Sequence, residues 1–271
     1  MSVNGPPPIR PVADGRSKCV KILVYGPWGI GKTPLAGTSP RALILRAPTE
    51  NTDSIKSGDS KEWVIKDWDE MWEAFEYLRH GGHEEYDWVW FDSISLWQDV
   101  GLDDLWQTII TEKPHRARFG LDKGDYFINM QRLSRWVRHM AGMADDGLFN
   151  FGITAHPADL PIEDTEDADE KLMPYVQGKG MASKICGYMH IVAYMTKTKK
   201  GTPVIYTRES DDFHARDQIG ALDDSEGKMF NPSMPKIIEA IEAARPKAKP
   251  KRAPAKRQTK ARVKPRATTR R

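Results

Sequence analysis

The sequence predicts an α/β fold with a mainly parallel central sheet and helices on both faces. Two observations carry the prediction. Short apolar runs alternate with helical patterns along most of the chain, an order that builds parallel sheets. The first apolar run also leads into a Gly-rich turn and then a helical stretch. The length of 271 residues, 39% hydrophobic, fits one such domain with extensions.

Lys21-Ile22-Leu23-Val24-Tyr25 reads as a buried strand by its length and content. A helix follows from about Lys32. Ala42 to Ala47 is a second strand, and Trp63-Val64-Ile65 a short third. Asp67 to His80 reads as a helix because Trp68, Met71, Trp72, Phe75 and Leu78 recur at three- and four-residue spacing, and Gly81-Gly82 stops it. Trp88-Val89-Trp90-Phe91 is a strand ending in Asp92, with a mostly helical stretch over 94–112. Tyr126, Met130, Leu133, Val137 and Met140 mark an amphipathic helix whose other side carries Arg132, Arg135 and Arg138. That stripe is either a solvated face or a surface for phosphates. Phe149 to Thr154 is the next strand. Residues 158–171 read as an acidic loop with seven acids from Asp159 to Glu170. Ile191–Met195 and Val204–Thr207 form a hairpin around Lys199-Lys200-Gly201, and a last helix spans about Pro235 to Ala244.

The net charge of +3 hides a split. Residues 245–271 hold 13 Lys/Arg and no acid, leaving 28 Lys/Arg against 38 Asp/Glu in residues 1–244, a net of −10. The Lys/Arg/Pro-rich tail has too little apolar surface to offset its ordering entropy, so disorder is expected over 245–271. It reads as a nucleic-acid arm or as a solubilising tail. Residues 1–18 read as a flexible leader without a signal peptide. No apolar run reaches the ~18 residues of a membrane span. Two isolated cysteines, Cys19 and Cys186, exclude a disulfide framework and read as inert buried thiols. A cytoplasmic location is the simplest expectation.

Gly26-Pro27-Trp28-Gly29-Ile30-Gly31-Lys32-Thr33 fits G-x-x-x-x-G-K-[ST], the P-loop pattern. Its glycines let backbone N–H groups curl around phosphates, and the following helix N-terminus favours anions. Lys32 would reach the β/γ-phosphates of ATP, and the Thr33 hydroxyl would ligate Mg²⁺. Pro34 is tolerable in the first helical turn. Asp92 reads as the second metal-positioning group, or alternatively as the cap of the next helix. Glu50, beyond the second strand, is the first candidate for the base that orients water; a solvated loop acid is the other reading. His156 ends the strand Phe151–Ala155, where ligands sit in such sheets. Of the nine tryptophans, Trp68, Trp72, Trp88 and Trp90 sit in periodic or buried runs and read as core. Trp28 either packs or touches a base or partner.

In this order the pieces resemble RecA-type P-loop ATPases, and most of all phage-encoded RecA-like ATPases of the single-strand-annealing or recombination type. The carriers are GPWGIGKT, the Trp88–Asp92 strand with Ser93, Gly152-Ile153-Thr154-Ala155-His156, Lys179 to Met189, Tyr206-Thr207-Arg208 and Ala215-Arg216-Asp217. The similarity covers about residues 20–244, and it implies a RecA-like ATPase domain over 19–244. It implies Glu50 as the catalytic glutamate, His156 as the γ-phosphate sensor and Arg208 or Arg216 as a finger reaching a neighbouring subunit's ATP. It also implies a homo-oligomeric ring or filament acting on single-stranded DNA. One departure stands out: the loop after the sensor strand is acidic and would repel phosphate. DNA contact would then fall to Lys179 and Lys184, the Lys197–Lys200 cluster or the tail. Two other functions stay open. One is a small-molecule kinase, for which Arg116 and Arg118 are the only lid-like cations. The other is a non-catalytic nucleotide-dependent nucleic-acid-binding protein.

Overall fold

The computed structural model describes residues 19–55, 58–161, 170–178, 180–222 and 226–244. The leader 1–18, the tail 245–271, Lys179 and the acids Glu163, Asp164, Glu166, Asp167 and Asp169 lie outside the described residues.

Each apolar run becomes a strand of one sheet. These are β1 (Lys21–Tyr25), β2 (Ala42–Arg46), β3 (Lys61–Val64), β4 (Trp88–Asp92) and β5 (Asn150–Ala155). The segment expected as an acidic loop is partly a separate antiparallel ribbon of β6 (Pro157–Pro161) and β7 (Glu170–Pro174). Its strands hold polar residues and prolines, which hide a strand pattern. Farther on come β8 (Ile191–Lys197), β9 (Pro203–Tyr206), β10 (Arg216–Asp217) and β11 (Lys228–Phe230). The nine-stranded sheet has the order β11-β9-β8-β1-β5-β4-β2-β3, with β10 paired to β8. From β3 across to β8 every neighbour is parallel; β9, β10 and β11 join antiparallel.

The helices are α1 (Lys32–Gly37), α2 (Trp68–Arg79), α3 (Ile94–Glu112), α4 (Lys123–Asp145), α5 (Met181–Tyr188) and α6 (Met234–Ala244). Side chains alternate along each strand, so the sheet has two buried faces. Leu23, Leu43, Leu45, Phe91, Phe151 and Ile153 pack on α2, α3, α4 and α5. Ile22, Val24, Ile44, Trp88, Trp90 and Ala193 pack on α1 and α6. Of the tryptophans expected in the core, Trp68, Trp88 and Trp90 are buried and Trp72 packs half-buried against it, and several buried indole N–H groups have carbonyl or hydroxyl partners. Trp90 donates to Ser39 Oγ at 2.8 Å, Trp136 to the Met71 carbonyl at 2.9 Å and Trp68 to the Gly101 carbonyl at 3.0 Å.

Caps explain where the helices begin. The Asp67 carboxylate accepts from the Glu70 N–H at 2.7 Å to start α2. Asp122 and Asp125 form a capping box at α4. Arg116 is bound to both acids, at 3.1 and 2.6 Å. The cation expected to serve a kinase lid is instead tied to a helix start.

Gly152 pairs with Trp90 in the β4–β5 register. A Cβ there would overlap the indole ring. Gly152→Ala should therefore destabilise by about 1–3 kcal/mol through overpacking. An unchanged urea midpoint would contradict that account.

Candidate functional site

The carboxyl ends of β1, β5, β4 and β2 meet on one rim of the sheet. The chain leaves β1 for β2 by passing over β5 and β4, so this rim holds a topological switch point, where open α/β sheets bind ligands. Residues 26–31 turn there from β1 into α1. Gly29 and Gly31 take φ of 65° and 110°, angles that residues with a Cβ rarely adopt. Gly26 lies so close to the Met195 carbonyl that a side chain there would collide with it.

Lys32 is buried. Its Nζ donates to the carbonyls of Gly26 (2.8 Å) and Pro27 (3.0 Å) and lies 3.5 Å from His156 Nδ1. Burial pulls its pKa down to about 8, against the opposing charges of Asp92 and Glu50. An ammonium can only donate, so His156 Nδ1 is the accepting nitrogen and the imidazole proton sits on Nε2. Nε2 is buried, has no hydrogen-bond partner, and faces Glu50 Oε1 at 3.7 Å. Glu50 is pushed up by burial. The facing His156, the Ser93 side chain and the Lys32 charge outweigh this and hold its carboxyl below the ordinary value.

Asp92 is buried at the end of β4. Its Oδ2 accepts from Thr33 Oγ1 at 2.7 Å, and its Oδ1 accepts from Thr154 Oγ1. Burial raises its pKa, against the lowering effect of these two hydroxyls. It does not cap α3; that cap is Ser93, which accepts from the Leu96 N–H.

Trp28 is 66% exposed and stacks on His156, with ring centroids 3.6 Å apart and planes 17° from parallel. Residues Trp28 to Pro34, Glu50 and His156 line a cleft of about 290 Å³ together with Thr49, Asn51 and Ser54. Lys197 reaches the Gly29 carbonyl at 3.4 Å from β8. Lys32, Thr33, Glu50, Asp92 and His156 thus come together as the sequence suggests.

The two finger candidates stand elsewhere. Arg208 is exposed beyond the end of β9. Arg216 corrects the expectation: its guanidinium donates to the carbonyls of Cys186 (2.7 Å) and Met189 (2.9 Å), and its Nε is buried. It closes the end of α5 and is not a cation held out toward a neighbour. Thr154 and Lys197 were not singled out for this site by sequence. A signal existed for Thr154: it is two residues before His156 on an otherwise apolar strand, hence on the same face. Cys186 is buried, with its thiol pushed up to about 12 by that burial, as an inert thiol should be.

The donor set fits a nucleotide with a hard cation: a buried ammonium, a hydroxyl beside a carboxylate, and an orphaned imidazole nitrogen around a Gly-rich turn. Among the described residues, no three His, Cys, Asp or Glu gather into a metal cluster. Nor is any helix among them long and apolar enough to cross a membrane. Fold and site together define a P-loop nucleotide-binding protein. A family model described as an AAA domain (AAA_24) matches residues 18–219, and the chain belongs to that family of P-loop ATPase domains. No curated protein matches the chain.

The lowered Lys32 pKa has a signed consequence. Below about pH 8 both folded and unfolded chains carry the ammonium. Between about 8 and 10.5 the unfolded chain holds more protons, so stability rises with pH through that window. The urea midpoint of wild type relative to Lys32→Met should stay flat near neutral pH and rise across the window. A flat difference throughout would show that Lys32 is not desolvated.

Proposed function

We propose that the chain is a RecA-like, Mg²⁺-dependent ATPase that acts on single-stranded DNA, in phage recombination or replication, as a homo-oligomer. The observation that carries the ATPase part is the convergence of Lys32, Thr33, Asp92, Glu50 and His156 on one rim of the sheet. Support for the DNA part comes from the motif order and the basic tail 245–271.

Each residue's chemistry follows from its surroundings. Lys32 exchanges its two carbonyl partners for β/γ-phosphate oxygens, which bind an ammonium more strongly because they carry charge. Thr33 and Asp92 are the residues that would hold Mg²⁺, which when bound neutralises charge on phosphate oxygens. Glu50, kept ionised, orients the attacking water and accepts its proton as the new P–O bond forms and the bond to the ADP oxygen breaks. His156 donates from Nε2 either to Glu50 or to a γ-phosphate oxygen, so its partner reports whether that phosphate is present. Trp28 holds the imidazole plane by stacking on it.

Turnover of Mg²⁺-ATP, with and without an oligothymidine, tests the reading. DNA should raise turnover. Lys32→Ala should abolish it. Glu50→Gln should retain nucleotide binding while losing roughly 10²–10⁴-fold in rate. Turnover that ignores DNA would sink the recombination role, and a Glu50→Gln rate near wild type would remove Glu50 as the base.

A further inference from the structure

Away from the nucleotide rim, α4 and α5 flank an open groove of about 420 Å³. Two features separated by some fifty positions in sequence meet there. One is the Arg132, Arg135 and Arg138 stripe of α4, and the other is Lys184 of α5. All four cations are exposed. No carboxylate among the described residues pairs with Arg135, Arg138 or Lys184. Residues 126–144 of α4 and the whole of α5 contain no Asp or Glu, although residues 1–244 as a whole are net −10. The field is felt nearby: His139 is held below its ordinary pKa by burial first, and then by Arg138, Arg135 and Arg79.

The groove also has an aromatic wall. Phe127 is 57% exposed and Ile128 is 44% exposed, while Tyr188 lines the far side from α5. A large apolar ring left in water beside several cations matches one chemistry well. Flexible single strands offer both a phosphate backbone for the cations and unstacked base faces for the ring. A duplex offers the phosphates but keeps its base faces stacked inside. An acidic peptide offers the charge but gives the ring no flat partner.

We infer that the α4–α5 groove is the single-stranded nucleic-acid site, with Arg135, Arg138 and Lys184 on the phosphates and Phe127 against a base. The inference rests on the single-stranded DNA reading above and adds where that strand lies. It assigns the contact to a helical groove and takes it away from the acidic β6–β7 connection.

Fluorescence anisotropy of the full chain with a labelled 20-nucleotide oligothymidine, across a salt series, tests it. The variants are Arg135→Gln/Arg138→Gln and Phe127→Ala, with thermal midpoints as fold controls, since all three side chains are exposed. The double variant should bind more weakly and flatten the salt slope by about 1.4, at ~0.7 per lost single-strand contact. Phe127→Ala should weaken oligothymidine binding on the order of tenfold with the slope unchanged, and leave duplex binding alone. Wild-type affinity and slope in both variants would overturn the groove while leaving the DNA reading intact. No binding by the unmodified chain would end both. Equal binding of duplex and single strand, with Phe127→Ala silent, would refute single-strand selectivity. Competition by poly-glutamate as effective as that by oligothymidine would reassign the groove to an acidic polypeptide.

Discussion

A buried carboxylate organises the nucleotide rim. Asp92 ends β4 with almost no contact with water, where an unpaired charge is expensive. Two hydroxyls answer it, Thr33 from α1 and Thr154 from β5. Three elements distant in sequence are thereby fixed at one point, and the P-loop helix is oriented against the sheet through a single oxygen. Charge-assisted hydrogen bonds of this kind are about twice as strong as neutral ones. The Lys32 and Glu50 charges lie within electrostatic reach of the same acid, so the rim behaves as one coupled set of ionisable groups.

Around that point the side chains form a chain of contacts: Lys32 to His156, His156 to Glu50, and Trp28 laid flat on the imidazole. The backbone of His156 is pinned as well. Its N–H donates to Ser95 Oγ at 2.9 Å, its carbonyl accepts from Tyr175 at 2.7 Å, and Ser95 in turn donates to the Tyr175 carbonyl. A residue fixed at the backbone and stacked at the ring has few rotamers left. Change at this position is therefore confined to which partner its nitrogens choose.

Most of the sheet was legible in the sequence because its strands are buried on both faces and read as continuous apolar runs, as in Lys21–Tyr25 and Trp88–Asp92. The P-loop, Glu50, Asp92 and His156 were legible for a second reason: all sit at or just past strand ends, where such folds gather their chemistry. What stayed hidden depends on neighbours remote in sequence. Arg216 looks like any strand-edge cation until its carbonyl partners at the C-terminal end of α5 are known. The β6–β7 ribbon lacks the apolar alternation that announces a strand. Trp28 meeting His156 joins residues 128 positions apart, and Arg135 meeting Lys184 needs two helices placed side by side.

The Arg216 contact bears on the order in which the molecule can take shape. Helix α5 has eight residues, too few to persist alone in water. The carbonyls of Cys186 and Met189 at its C-terminal end accept from Arg216 on β10, 30 and 27 residues later. The Cys186 carbonyl also accepts locally from the Met189 N–H at 3.1 Å, and the arginine adds a second, distant donor to that cap. Completing α5 is thus a tertiary event: one wall of a surface groove is held from behind by a residue at the sheet edge. Its local stability belongs to that edge as much as to the helix's own sequence.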